Sequence, residues 1–120
     1  MKIISVDDSE SISTHLSELI DKIDSFIYSG NAFTITEALE LIETVKPKIV
    51  FLDIFLKDEN GLGLLAHLKE HLPDIVVIML TNNNELIYRN KAKQLGADYF
   101  LDKSYEFDKI PELLNSLIKK

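Results

Sequence analysis

The sequence IVFLD at residues 49–53 places a carboxylate directly after four consecutive apolar residues. Three other largely apolar runs end in reactive side chains: residues 3–6 lead into Asp7 and Asp8, residues 75–80 into Thr81, and residues 99–101 through Asp102 into Lys103. If these runs are parallel strands, their carboxyl ends lie on one edge of a sheet, where open α/β sheets bind ligands. The pattern therefore predicts that these reactive side chains meet in one cleft.

Strand-like and helix-like segments alternate along the chain five times. This order predicts an α/β fold, a doubly wound parallel sheet of five strands with helices on both faces. The second strand is short in this interpretation: residues 26–28 form it, and the turn-like sequence SGN at 29–31 closes it.

Helix-start signals divide the segments between the strands. Ser9, either Thr34 or Thr36, and Asn84 are candidate N-caps of the first, second and fourth helices. The fourth helix has a thin apolar face, predicted to consist of Ile87, Tyr88, Ala92 and Leu95. Lys119 and Lys120 would complement the C-terminal end of the fifth helix.

Composition narrows the classes of function. We expect residues 1–120 to form one domain. The chain has no cysteine, which excludes disulfides and thiol chemistry, and no apolar run long enough to span a membrane, so we expect a cytoplasmic location. Its net charge of −7, from 20 acidic and 13 basic side chains, is repelled by phosphate backbones, so we expect no direct binding of nucleic acid.

The predicted cleft suits a divalent cation and a phosphoryl group. Magnesium prefers oxygen ligands, and Asp7, Asp8 and Asp53 would supply them, with the backbone carbonyl of Phe55 completing the set. Asp53 is the best candidate nucleophile, because a carboxylate can form an aspartyl-phosphate. Lys103 would supply a fixed positive charge to the phosphoryl group, and Thr81 a hydroxyl donor.

These residues, in this order, resemble the receiver domain of a two-component response regulator, of the kind found in chemotaxis regulators. Gly61, eight residues beyond Asp53, and the sequence GAD at 96–98 also fit, and the resemblance covers essentially the whole chain. It implies the flavodoxin-like strand order 2-1-3-4-5. It also implies phosphorylation of Asp53 by a sensor histidine kinase, a phosphotransfer protein or a small phosphodonor, with bound magnesium.

The resemblance further implies a switch without turnover of any external metabolite. Such a domain catalyses only its own phosphorylation and dephosphorylation, so we do not expect an enzyme. Phosphorylation would draw Thr81 toward the phosphoryl group and let Phe100, three residues before Lys103, rotate inward. The face formed by the fourth helix, fifth strand and fifth helix would then control a target protein or an attached output domain, or form a dimer.

Three positions depart from the family pattern. Lys57 stands where proline is common, Asn82 where a small residue usually follows the threonine, and Ser104 where proline usually follows the lysine, often after a cis bond. A trans bond before Ser104 would put the position of the lysine in question. Phe55 lies where the family tunes hydrolysis of the aspartyl-phosphate, and its bulk suggests exclusion of water.

Other functions remain open at this stage. The chain could be a degenerate receiver that acts as a protein-interaction module without phosphorylation. A phosphoester hydrolase with an aspartate nucleophile would need an acid/base carboxylate where Phe55 stands. A flavodoxin is disfavoured because Asp7 and Asp8 would repel the flavin phosphate.

Overall fold

The computed structural model of the chain describes residues 1–83 and 85–118. Its strands, in chain order, are β1 Lys2–Val6, β2 Ile27–Ala32, β3 Ile49–Leu52, β4 Phe55–Leu56, β5 Glu59–Asn60, β6 Val76–Thr81 and β7 Tyr99–Asp102. Five of them form a parallel sheet in the order β2-β1-β3-β6-β7, while β4 and β5 form a separate antiparallel hairpin. Counting only the parallel strands, this is the order 2-1-3-4-5, so the predicted flavodoxin-like sheet is confirmed.

Five α-helices connect and cover the strands. They are α1 Glu10–Ile20, α2 Ile35–Val45, α3 Gly61–His71, α4 Leu86–Gln94 and α5 Ile110–Ile118, the last preceded by a 3-10 turn at Phe107–Lys109. Thr34, rather than Thr36, caps α2, since its Oγ1 accepts a hydrogen bond from the backbone N–H of Glu37. In the described part of the chain, no helix is long and apolar enough to cross a bilayer. The predicted contributions of Asn84, Lys119 and Lys120 fall outside the described residues.

The sheet is buried on both faces, as its apolar strands require. One face packs against α2, α3 and α4 through a cluster that includes Ile4, Val50, Leu52, Ala38, Leu65 and Ala92. The other packs against α1 and α5 through a cluster that includes Ile3, Phe51, Ile78, Leu16 and Leu114. A slip of one residue would exchange the two sets of side chains, so this double packing fixes the register of each strand and the position of its last residue.

The prediction for the second strand was wrong in its extent. β2 runs through the supposed turn to Ala32, because Gly30 adopts a φ of 135° that accommodates one extra residue. Ile3 pairs with Tyr28, whereas Ser5 pairs with Asn31, so β2 contains a bulge between these pairs. The sequence SGN is therefore an irregular part of the strand, and Gly30 supplies its special backbone conformation.

The predicted apolar face of α4 was wrong at one residue. Ile87 is 69% exposed, and its neighbour Leu86 is 70% exposed, whereas Ala92 is fully buried. Tyr88, Ala92 and Leu95 pack on the core at spacings of four and three residues, and Ile87 lies about 100° around the helix from Tyr88. α4 therefore presents two large aliphatic side chains to solvent.

Substitution of Gly61 tests how closely the start of α3 approaches the backbone of Asp53, the residue that follows β3. A Cβ at this position would lie 2.0 Å from the backbone carbonyl oxygen of Asp53. We expect Gly61→Ala to lower the free energy of unfolding by about 2–3 kcal/mol, because the clash is with backbone that cannot turn aside. Urea denaturation followed by circular dichroism measures the change.

Gly63→Ala is the matched control, since it lies in the same helix and a Cβ there would meet nothing within 4 Å. We expect it to raise the free energy of unfolding by about 0.5 kcal/mol through reduced backbone freedom in the unfolded chain. Equal stability of Gly61→Ala and the wild type would contradict the close approach of α3 to Asp53.

Candidate functional site

Main-chain hydrogen bonds carry the sheet ladder one residue beyond the strands and so align the reactive residues. The N–H of Asp7 donates to Ala32 O at 3.0 Å, that of Asp53 to Val6 O at 3.1 Å, and that of Lys103 to Thr81 O at 3.0 Å. The predicted meeting of these residues at the carboxyl edge of the sheet is therefore seen in the backbone itself.

Three carboxylates form an acidic cluster at this edge. Oxygen atoms of Asp7, Asp8 and Asp53, one from each side chain, lie within 4.8 Å of one another. Asp7 is 2% exposed and Asp53 is 6% exposed, while Asp8 is open to solvent. Because like charges held this close in a buried place repel, the cluster favours a bound cation.

Lys103 supplies one positive charge to this cluster. Its Nζ lies 2.6 Å from Asp7 Oδ2 and donates a 2.9 Å hydrogen bond to Asp53 Oδ2. Burial alone would lower the pKa of Lys103, but hydrogen bonds and charge attraction from Asp7 and Asp53 outweigh it and raise the pKa. The ammonium therefore stays protonated. The Lys103–Ser104 peptide bond is trans, and the lysine reaches both aspartates in that conformation.

Asp7 is harder to ionise than an ordinary aspartate. Burial raises its pKa, and the neighbouring charge of Asp53 adds to this, although Lys103 and the N–H of Ser9 act in the opposite direction. The charge of Lys103 therefore does not fully compensate the two buried carboxylates. A second cation would be bound favourably here.

One atom of the site tests whether a metal or phosphoryl group fits. Asp53 Oδ1 is buried and has no hydrogen-bond partner among residues 1–83 and 85–118. Leaving such an oxygen unpaired costs about 1–3 kcal/mol, more for a charged group. A divalent cation or a phosphorus atom would satisfy it, and the three oxygen ligands suit Mg²⁺. Phe55 lies in β4, two residues beyond Asp53, and the role of its carbonyl as a ligand stays a prediction.

Thr81 and Phe100, the two predicted switch residues, contact partners outside the acidic cluster. Thr81 is fully buried at the end of β6, and its Oγ1 accepts a 3.3 Å hydrogen bond from Asn83 N. Phe100 packs on the core cluster that includes Ala92 of α4, whereas Tyr99 packs on the cluster on the opposite face of the sheet. The guanidinium of Arg89 lies 4.6 Å above the centroid of the Phe100 ring. The described contacts join neither Thr81 nor Phe100 to Asp53.

Two of the residues that depart from the family pattern, Asn82 and Ser104, contact each other. Ser104 Oγ donates a 3.1 Å hydrogen bond to Asn82 Oδ1, which joins the loops that follow β6 and β7. Asp102 Oδ1 accepts from the N–H groups of Ser104 and Tyr105, at 2.7 and 3.1 Å. A buried aspartate thus shapes the loop after Lys103. The sequence signal for this turn was an aspartate, Asp102, two residues before Ser104, because aspartate side chains commonly close such turns.

The sequence patterns did not predict a polar network that lies beneath Asp7. Ser5 Oγ lies 2.6 Å from Tyr28 OH and donates to Asn31 Oδ1, while Asn31 Nδ2 donates to the backbone oxygen of Asp7 at 2.9 Å. The bulge at Gly30 brings Asn31 opposite Ser5. The signal was Ser5 itself, a polar residue in an otherwise apolar strand that needs a partner.

Similar sequences were found among characterised proteins. The chain is 28% identical over 111 residues to the transcriptional regulatory protein CitT of Bacillus subtilis, covering 92% of this chain and 49% of that protein. It is 26% identical over 120 residues to the transcriptional regulatory protein MalR of the same organism, covering 100% of this chain and 51% of MalR. The chain thus spans about half the length of these relatives.

Solved structures agree on the fold. The signal receiver domain of a DNA-binding response regulator (merR) from Colwellia psychrerythraea 34H superposes with a TM-score of 0.91 at 20% identity, covering 100% of this chain and 99% of that one. Residues 3–115 match the family described as the response regulator receiver domain. These residues are nearly the whole chain, and they contain the acidic cluster and Lys103. The chain therefore belongs to the response regulator receiver domain family.

Proposed function

We propose that this receiver domain accepts a phosphoryl group on Asp53, from a sensor histidine kinase, a phosphotransfer protein or a small phosphodonor, in the presence of Mg²⁺. The proposal rests on the contacts of the two carboxylate oxygens of Asp53. Lys103 holds its Oδ2 at 2.9 Å, and its buried Oδ1 has no hydrogen-bond partner in the part of the chain that the structure describes.

Each residue of the site has a role in this transfer. Asp7, Asp8, Asp53 and the backbone carbonyl of Phe55 would hold Mg²⁺, which when bound neutralises charge on the phosphoryl oxygens. A carboxylate oxygen of Asp53 forms the new bond to phosphorus. The bond from phosphorus to the donor nitrogen or oxygen breaks, and its electron pair leaves with the donor. Lys103 and the hydroxyl of Thr81 would stabilise the phosphoryl group on Asp53.

The output would be a change in the face formed by α4, β7 and α5. Phe100 would connect this face to the site, since it precedes Lys103 by three residues and the guanidinium of Arg89 in α4 lies over its ring. α4 and the loop after β7 also expose apolar side chains, among them Leu86, Ile87 and Tyr105, which suit a target protein, an attached output domain or a second copy. CitT and MalR, named as transcriptional regulators, support a regulatory output of this kind.

A degenerate receiver that binds partners without phosphorylation is the second candidate. The hydrogen bond between Ser104 and Asn82 favours it, because it joins the two loops beside the site and would narrow the path of a phosphodonor. Lys103 also already pairs with both buried aspartates.

One measurement, the intact mass after incubation with acetyl phosphate, distinguishes the two candidate functions. We expect a single phosphoryl adduct on the wild type when Mg²⁺ is present and none after its removal by a chelator. Asp53→Asn should show no adduct, because the amide is a poor nucleophile. Asp58→Asn, an exposed aspartate in the hairpin, should react like the wild type. Absence of any adduct on the wild type at saturating Mg²⁺ would favour the degenerate receiver.

Phe55 is expected to slow hydrolysis of the phosphorylated form. Its ring makes an edge-to-face contact with Tyr88, with centroids 5.2 Å apart, which holds the ring against α4. We expect Phe55→Asn to shorten the phosphoryl half-life about tenfold, equivalent to about 1.4 kcal/mol of barrier, because water gains access. Loss of the adduct over time, followed by intact mass, measures this.

Tyr88→Phe is the control for this experiment, since it keeps the aromatic contact and should leave the half-life unchanged. An unchanged half-life in Phe55→Asn would show that the ring does not restrict water.

A further inference from the structure

The β4–β5 hairpin contains Phe55, and its own pairing is too short to fix its position. Each strand has two residues, and two residue pairs, Phe55 with Asn60 and Leu56 with Glu59, make up its ladder. A hairpin this short is marginally stable by itself in water. Its position relative to Asp53 therefore depends on contacts with the rest of the domain.

Two consecutive side chains of β5 contact two different helices. Asn60 Oδ1 accepts a 2.8 Å hydrogen bond from Leu62 N and caps α3, the helix that follows directly in the chain. Glu59 Oε1 accepts a 2.9 Å hydrogen bond from Ile35 N at the start of α2, a residue 24 positions earlier. Successive side chains of a strand point in opposite directions, so β5 bridges the two helix N-termini.

The bond from Glu59 is an addition to a cap that α2 already has. Thr34 Oγ1 accepts from Glu37 N, and Glu37 Oε1 accepts from Phe33 N, one residue before the cap, so the local sequence already supplies two hydrogen bonds at this helix end. Ile35 N takes part in neither of these bonds, and Glu59 satisfies it. A helix N-terminus favours a carboxylate, which strengthens the contact. The function of Glu59 is therefore to hold the hairpin against α2.

The location of this contact relates it to the acidic cluster. Glu59 is half-buried and lines a cleft of about 510 Å³ together with Asp8, Phe33, Thr34, Thr36, Lys57 and Asp58. The same cleft thus borders one carboxylate of the cluster and the hydrogen-bonded connection between the hairpin and α2. A shift of the hairpin away from α2 would move Phe55 relative to Asp8 and Asp53.

We propose that Glu59 is a positioning residue for the metal site: by binding the N-terminus of α2 it fixes the hairpin, and with it the backbone carbonyl of Phe55. This proposal rests on the proposed function, in which that carbonyl is a ligand of Mg²⁺. Glu59 itself does not touch the phosphoryl group or the cation.

The test compares Glu59→Ala, Glu59→Gln and Glu37→Ala with the wild type in two measurements by NMR. The first is amide hydrogen exchange of residues 55–60 without metal. The second is the dissociation constant for Mg²⁺, from the shifts of amide signals during titration. Glu37→Ala is the matched control, because it removes the same charge and one hydrogen bond from the same end of α2 without touching the hairpin.

In Glu59→Ala we expect exchange of the hairpin amides to be about tenfold faster, the change expected for one lost hydrogen bond to a charged group. The dissociation constant for Mg²⁺ should rise about tenfold, as for other residues that orient a metal ligand. Glu59→Gln, whose amide oxygen still accepts from Ile35 N, should recover most of both properties. Glu37→Ala should loosen only α2.

Hairpin exchange and Mg²⁺ affinity that are the same in Glu59→Ala as in Glu37→Ala would overturn the proposal. A wild type that binds no Mg²⁺ would instead count against the proposed function. In that case, faster exchange in Glu59→Ala but not in Glu37→Ala would show that Glu59 stabilises the hairpin. The proposed effect of Glu59 on metal binding would be refuted.

Discussion

The structure depends on keeping the carboxylates of Asp7 and Asp53 buried side by side with a single ammonium between them. The ladder hydrogen bonds fix the two backbones, and Lys103 reaches both side chains at 2.6 and 2.9 Å. This pairing is incomplete, since burial raises the pKa of Asp7 in spite of the lysine and Asp53 Oδ1 has no partner among the described residues. These features fit the proposed binding of a further positive or electrophilic group.

The surrounding elements make this arrangement rigid on one side and adjustable on the other. β1 and β3 are buried on both faces, so the aspartates cannot shift without disrupting the core. Individual contacts also hold the hairpin and α4: Glu59 on α2, the rings of Phe55 and Tyr88, and Arg89 between Phe100 and Glu106. In the proposed function, these elements would move when the charge at Asp53 changes.

Sequence patterns predicted the parallel sheet and the acidic cluster because both follow from apolar runs that end in charged residues. The same reasoning failed where a local signal had two structural meanings. Gly30 suits a turn or a bulge, and Ile87 is apolar but lies one residue away from the buried stripe of a short helix. The contact of Glu59 with Ile35 could not be predicted, because no periodicity relates residues 24 positions apart on different elements.

The proposed function depends on a cation-binding site among the clustered carboxylates. The most direct test is thermal unfolding of the wild type, Asp53→Asn and Asp7→Asn with and without Mg²⁺. The proposed site predicts that Mg²⁺ stabilises the wild type, by about 2.7 kcal/mol at a hundred times its dissociation constant, and stabilises both variants less. A wild-type melting temperature that does not change with Mg²⁺ would contradict it.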